Sequence, residues 1–226
     1  MPFSNAGIKA ISLDMDVEGK PFVVHPALLW DDHNVVLVDT GIPGQLELIR
    51  RVLEQESLSL EKITKIIITH QDRDHIGSLP ELVQAREGGA QVLAHERAVP
   101  YLAGETPLLK SKLMAPPVKV DRTLQDGDIL PLAGGIQIIF TPGHTPDHIS
   151  LYHIPSKTLI TGDALTSENG VLKSFDPHFT LDHASALDSI RKFQALDIET
   201  VITYHGGVCT GNIQAQISEI LQTTSI

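Results

Sequence analysis

The 226-residue chain contains a single cysteine, Cys209, so it can form no internal disulfide and no thiolate metal cluster. Any metal must be held by imidazole and carboxylate. Basic residues are also scarce: 17 Lys and Arg stand against 28 Asp and Glu, a formal net charge of −11 with histidine neutral, and no basic run occurs. Such a field repels phosphate backbones and anionic lipid headgroups, so neither nucleic acid nor a membrane surface is expected as a partner. No apolar run could span a bilayer, and the opening MPFSNAGIKAISLDMD lacks the basic start, apolar stretch and small-residue cleavage site of a secretion signal. The expectation is a cytoplasmic protein acting on a small-molecule substrate. Low-complexity tracts and a glycine-rich phosphate loop are missing too, while 42% hydrophobic and 20% charged residues are those of a self-folding globular chain, expected to form one domain over 1–226. Oligomeric state leaves no mark on the sequence.

What is present begins with strands. Alternating apolar positions in Ile8–Leu13, Phe22–Leu29 and Val35–Val38 predict an antiparallel meander turned at Asp31-Asp32-His33-Asn34. Gly44 through Glu56 places Leu46, Ile49, Val52 and Leu53 at helical spacing. Lys65–Thr69 is a β-branched run suited to an inner strand, and helix, strand and helix follow over Leu79–Arg86, Gln91–Ala94 and Glu96–Leu102. The stretch 104–118, GETPLLKSKLMAPPV, has three prolines and no sustained period, and reads as a loop or lid. Beyond it, strands are expected at Ile136–Thr141, Ile149–His153, Thr158–Thr161 and Thr200–Thr203, with helices at Ala184–Leu196 and Asn212–Leu221. Two β-rich halves, each with outer helices, suit a four-layer α/β/β/α sandwich.

The chemistry is concentrated in Ile66-Ile67-Ile68-Thr69-His70-Gln71-Asp72-Arg73-Asp74-His75-Ile76-Gly77, where an apolar strand runs into His70, Asp72, Asp74 and His75. A solvated polar turn could have this composition, but three more ligand-type residues follow strands downstream: His144 after Gly143, Asp163 after Gly162, and His205 before Gly206. A strand end can aim successive side chains at one point, and imidazole with carboxylate suits zinc, iron or manganese. The neighbouring glycines are expected to let backbone and metal approach closely.

This pattern resembles the metallo-β-lactamase superfamily, marked by His-x-His-x-Asp-His after a strand, then Gly-His, Gly-Asp and a late His-Gly; the likeness runs from about Asp39 to His205. It implies the αββα fold and two divalent metal ions. By the resemblance His70, Asp72 and His144 hold the first ion, Asp74, His75 and His205 the second, and Asp163 bridges them. Asp39, in Asp39-Thr40-Gly41, is similar to the family's buried supporting aspartate. One position departs: Asp72 stands where most of the superfamily has histidine. Two divalent ions then face three aspartates and a bridging hydroxide, a formally neutral core, so zinc stays the expected metal while harder ions such as iron or manganese gain weight. The same carboxylate resembles flavodiiron proteins, which leaves a stand-alone diiron oxygen-binding or sensor protein as the alternative.

The resemblance implies a hydrolase of a small ester, lactone or thioester, in which metal-activated hydroxide attacks a carbonyl carbon and Asp74 orients it or carries its proton. Thiolate-type β-lactamases place Cys at the position of Asp163, which argues against that activity. Quorum-signal lactonases place a tyrosine between the bridging aspartate and the last histidine; here only Tyr204 lies there, next to His205. His178, on an irregular segment between two ligands, is a candidate catalytic donor in its place, although a histidine there is more often a surface loop residue. His148 reads as a partner that orients a ligand, and His25, His33, His95, His153 and His183 as ordinary surface or strand residues. Leu108, Leu109, Met114, Phe175 and Phe179 could form an apolar wall for an acyl chain or simply pack on the body.

Overall fold

A computed structural model describes residues 6–87 and 89–224. The first five positions of the N-terminal segment read above, and the last two of the chain, lie outside the described residues. Two six-stranded sheets form the centre. The first runs in the order Gly7–Ala10, Ala27–Trp30, Val35–Val38, Lys65–Ile68, Gln91–His95 and Arg122–Leu124. The second runs Gly207–Thr210, Thr200–Thr203, Thr158–Ile160, Ile149–His153, Ile136–Phe140 and Ile129–Leu130.

Period-two alternation sorts each strand between two apolar layers. Val36, Val38, Ile67 and Leu93 face the second sheet and meet Ile136, Ile138, Ile149, Leu151, Ile160 and Ile202. Leu37, Ile66, Ile68 and Val92 face outward, beneath the helices Leu46–Gln55 and Leu79–Ala85, through Ile49, Leu53 and Leu82. Strands covered on both faces read as unbroken apolar runs, which is why Lys65–Ile68 is recognisable as an inner strand. On the far side, helices His183–Lys192 and Ile213–Thr223 bury Leu187, Ile190, Ile213 and Ile217 against Leu159 and Val201. The four layers expected from the sequence are therefore formed, and truncating a fully buried residue such as Ile49 or Leu53 to alanine would cost about 2–5 kcal/mol.

Helix ends follow local chemistry. Asp182 caps the helix His183–Lys192 by accepting from the Ser185 amide at 3.0 Å, and Asn212 caps the last helix through the Ala215 amide. The pattern over Ala184–Leu196 reads as one helix, but its last turn tightens to a 3₁₀ turn over Phe193–Ala195.

The N-terminal strands differ most from the sequence reading. Ile8–Leu13 and Phe22–Leu29 are each divided, and a separate hairpin, Leu13–Val17 with Lys20–Val24, lies between them. Its two-residue turn, Glu18-Gly19, has positive φ at both positions, the geometry that matches strand twist. Pro26, which has no N–H, marks one break, and the His25 amide there leaves the ladder to bond the Tyr204 carbonyl at 2.9 Å. The hairpin thereby carries Phe22 to a cleft described below. Short strands at Arg122–Leu124, Ile129–Leu130, Thr166–Glu168, Val171–Lys173 and Gly207–Thr210 also escape the sequence pattern, because each is too brief to show alternation.

Candidate metal centre

Each candidate ligand sits where the topology delivers a strand end. Ile136–Phe140, Thr158–Ile160 and Thr200–Thr203 run in the same direction in the second sheet, so His144, Asp163 and His205 leave it along one edge. The strand Lys65–Ile68 of the first sheet ends beside them, its Thr69 carbonyl accepting from the Ile149 amide at 2.9 Å. A short helix, Arg73–Ile76, then turns Asp74 and His75 back toward the edge. Two groups result, in which the ligand-type atoms of His70, Asp72, His144 and Asp163, and those of Asp74, His75 and His205, lie within 4.8 Å of one another.

Asp72 Oδ2 is 3.0 Å from His144 Nε2 and 3.3 Å from His70 Nε2. Asp74 Oδ2 is 3.2 Å from His205 Nε2 and 3.8 Å from His75 Nε2. Asp163 stands between the groups: Oδ1 is 3.3 Å from His75 Nε2, and Oδ2 is 3.2 Å from His144 Nε2 and 3.4 Å from His205 Nε2. All of them except Asp74 and His205 are buried.

The supporting shell fixes which nitrogen each ring presents. Asp39, buried with a left-handed φ of 66°, accepts from the Thr69 amide at 2.8 Å, the Thr69 hydroxyl at 2.7 Å and His75 Nδ1 at 2.9 Å. That pins His75 with Nε2 toward the cleft, and Thr69 Oγ1 lies 3.0 Å from His70 Nδ1 with the same result. Tyr204 stacks on the His75 ring at 3.8 Å between centroids, and its hydroxyl donates to the Asp74 carbonyl at 2.5 Å while accepting from the Gly41 amide. It therefore braces the ligand loop from behind. His148 Nε2 accepts from the Asp163 amide at 2.9 Å, and its Nδ1 lies 2.8 Å from Thr141 Oγ1, so it orients Asp163 through the backbone.

The electrostatics are those of a cation site. Burial penalises the carboxylic charge of Asp163, yet the His75, His205 and His144 rings hold its pKa well below the usual carboxylate range. Burial lowers His75 as well, but Asp163, Asp39 and Asp74 raise it well above an ordinary imidazole. His148 runs the other way: burial and the neighbouring His70 and His144 push it well down, which keeps it neutral and able to accept from the Asp163 amide. Three buried atoms, His70 Nε2, His75 Nε2 and Asp163 Oδ1, have no hydrogen-bond partner among the described residues. Buried polar atoms without partners are costly unless a cation claims them, and mixed imidazole and carboxylate donors suit a divalent transition metal. The residues present thus fit a metal pair.

Glycines beside the ligands serve the protein more than a metal. A Cβ on Gly143 would lie 2.3 Å from the Ala186 backbone nitrogen, and one on Gly162 would lie 2.6 Å from His148 Nε2. Close approach is required, but of the helix His183–Lys192 and of a supporting ring.

His178 makes no polar contact with the ligands, although Asp176 and Phe179 on either side of it line the cleft. It is exposed on the turn after Asp176, whose carboxylate accepts its backbone amide at 2.8 Å, and its side chain makes no polar contact among the described residues. Of the other histidines, His95 is buried and stacked on Phe140, and His153 is buried with Nε2 2.7 Å from the Ala133 carbonyl. Neither reaches the centre.

Above the ligands opens a cleft of about 650 Å³, lined by Phe22, Leu108, Phe179, Arg73, Lys110 and the ligands Asp72, Asp74, His144, Asp163 and His205 among others. A smaller, mostly apolar cavity of about 330 Å³ adjoins it, sharing Leu108 and Arg73 and lined also by Leu113 and Met114. Of the apolar residues considered in the sequence, Leu108 and Phe179 face the cleft, Met114 the adjoining cavity, and Phe175 is buried in the core of the second sheet. Lys110, which no spacing in the sequence marks, reaches the ligands: its Nζ is 2.5 Å from Asp72 Oδ2 and 2.6 Å from His144 Nε2.

Fold and site together define a metallo-β-lactamase-type protein. The profile of the metallo-β-lactamase superfamily matches residues 19–205, and the chain belongs to that superfamily. Over 98% of its length it is 28% identical to the probable metallo-hydrolase YflN of Bacillus subtilis, covering 95% of that protein. Over 54% of its length it is 34% identical to a hydroxyacylglutathione hydrolase of Idiomarina loihiensis, of which it spans only 39%. Among solved structures, a metallo-β-lactamase from Pontibacter korlensis superposes over 99% of this chain and 98% of that one with a TM-score of 0.74 at 20% identity, a likeness of fold. No helix among the described residues is long and apolar enough to cross a membrane.

Proposed function

We propose that this chain hydrolyses a small ester or thioester with two divalent ions, one held by His70, Asp72 and His144, the other by Asp74, His75 and His205, with Asp163 shared. The protein is a metal-dependent hydrolase by its family. The convergence of these ligand-type atoms within 4.8 Å in each group, with His70 Nε2, His75 Nε2 and Asp163 Oδ1 buried and unpartnered, is the observation that carries the ligand assignment. Zinc is the metal of this reading, and the third carboxylate, Asp72, widens acceptance of iron or manganese. When bound, such ions supply a hydroxide nucleophile near neutral pH and a Lewis acid for the carbonyl oxygen.

The chain's own residues do the rest. Asp74 is the most accessible of the three carboxylates, with 25% of its side chain exposed against 10% for Asp72 and 9% for Asp163. A carboxylate that faces the cleft, with its backbone fixed by Tyr204, can hold a proton and pass it to a leaving group. Phe22, Leu108 and Phe179 exclude water on the apolar side and suit an acyl arm. Thioesters are favoured by the hydroxyacylglutathione hydrolase relatives, which match more than half of this chain.

The test is a panel of lactones, thioesters, aryl esters and phosphodiesters given to metal-loaded protein. Thioester or ester turnover that disappears on chelation, and in Asp74→Ala protein still holding its metal, is the expected result. Undiminished turnover in that variant would remove Asp74 from its role. A purified protein carrying iron with an oxygen-sensitive visible band, and inert toward the whole panel, would replace hydrolysis by the diiron alternative.

A further inference from the structure

Lys110 lies on the irregular stretch 104–118, yet its position is built. On one side the Leu108 side chain is buried, and on the other the Leu109 amide donates to Gln71 Oε1 at 2.7 Å. Gln71 in turn donates to Asp147 Oδ1 at 3.0 Å, and both are fully buried. Gln71 sits between His70 and Asp72, and Asp147 follows His144, so one buried clamp ties the lysine's backbone to both ligand loops.

The ammonium rests on Asp72 Oδ2 and His144 Nε2, the two atoms assigned above to the first ion. A metal ion and an ammonium cannot share those lone pairs. Once the metal engages them, Lys110 loses both acceptors while the Gln71 clamp still holds its backbone beside the cleft. An ammonium left against Leu108 and a dication needs an anion nearby, because burying it unpaired is costly. The other cation of the cleft, Arg73, is exposed and has no ion-pair partner among the described residues. Asp176, the remaining acid of the lining, already accepts the His178 amide. With the metal in place, the wall that carries Lys110 and Arg73 is therefore positive and short of an anionic partner.

We infer that Lys110 binds a carboxylate carried by the substrate near its scissile bond, so that the preferred substrate is an acyl ester or thioester bearing a carboxylate. This rests on the hydrolytic reading and narrows it.

The S-succinyl and S-butyryl thioesters of N-acetylcysteamine differ by that group and test it. For zinc-loaded wild type, kcat/KM should favour the succinyl ester by about tenfold, the scale of one charge-assisted pair. In Lys110→Met that preference should fall to near one, chiefly through the succinyl KM, and Lys110→Arg should restore most of it. Lys112→Met, which removes the same charge from an exposed neighbouring position, should keep the preference. A second arm needs no turnover: calorimetry of succinate against butyrate on the zinc-loaded proteins should show a selectivity that Lys110→Met erases. If neither thioester is cleaved but this selectivity is lost in Lys110→Met, the thioester reading fails and the lysine assignment stands. Equal selectivity in wild type and Lys110→Met in the binding arm, at equal zinc content, would overturn the proposal.

Discussion

The two sheets contribute to the centre in unequal ways. The first supplies four candidate ligands from one six-residue stretch, His70 to His75, and the second supplies His144, Asp163 and His205 from three separate strand ends. The first group depends on side chains that brace a single loop, Asp39 and Thr69 from the first sheet and Tyr204 from the end of a second-sheet strand. The second depends on the register of three strands running in the same direction, with His148 as the local brace of Asp163. Local bracing can be removed by one substitution without disturbing the sheet, whereas strand register cannot.

The largest effect is expected at the second-sheet residue proposed to join the two metal positions. Asp163→Ala should lower kcat/KM by at least about 10³-fold and reduce the metal content below that of wild type, measured by atomic emission on dialysed protein. Retained stoichiometry would remove Asp163 from its shared place. Next, Asp39→Ala takes away the partner of Thr69 and His75 at once and should weaken metal binding about 10–100-fold in a chelator competition, at the second ion through His75 and at the first through Thr69 and His70. Unchanged affinity for both ions would show that Asp39 does not brace the ligand loop.

Proton linkage offers a subtler contrast. Burial lowers His205, but the Asp163 and Asp74 carboxylates outweigh it and raise the imidazole to about 10, above an unfolded value of about 6.5. The proton on His205 therefore stabilises the metal-free fold fully below about pH 6.5, and that contribution is lost as pH rises toward about 10. The melting temperature of metal-free protein should fall across this interval. In loaded protein the decline should be smaller, because the metal takes the nitrogen and releases its proton on binding. Parallel curves for the two forms would contradict the assignment of His205. The smallest effect belongs to His178→Ala, an exposed side chain on a turn, which should change kcat/KM by no more than about twofold. A larger loss would return it to the catalytic role that its sequence position suggests.

Much of this was legible before the fold was known, and for physical reasons. Buried inner strands such as Lys65–Ile68 announce themselves as apolar runs, and ligand-type residues placed directly after them are costly without a purpose. The four layers follow from the same alternation. The hairpin Leu13–Val17/Lys20–Val24 was hidden because its break at His25 and Pro26 depends on a distant partner, the Tyr204 carbonyl. Glycine neighbours pointed to close approach without naming what approaches, and Gly143 turned out to admit a helix. Gln71 and Lys110 carry no periodic signal: the contacts of Gln71 with the Leu109 amide and of Lys110 with Asp72 and His144 depend on how 104–118 folds over the ligand loop, a tertiary fact with no trace in spacing.

Anomalous diffraction from zinc-loaded crystals tests the shared metal centre most directly. Two peaks about 3.5–4 Å apart, one against His70, Asp72 and His144 and one against Asp74, His75 and His205, with Asp163 touching both, are expected. A single peak, or a pair that leaves Asp163 unengaged, would contradict it.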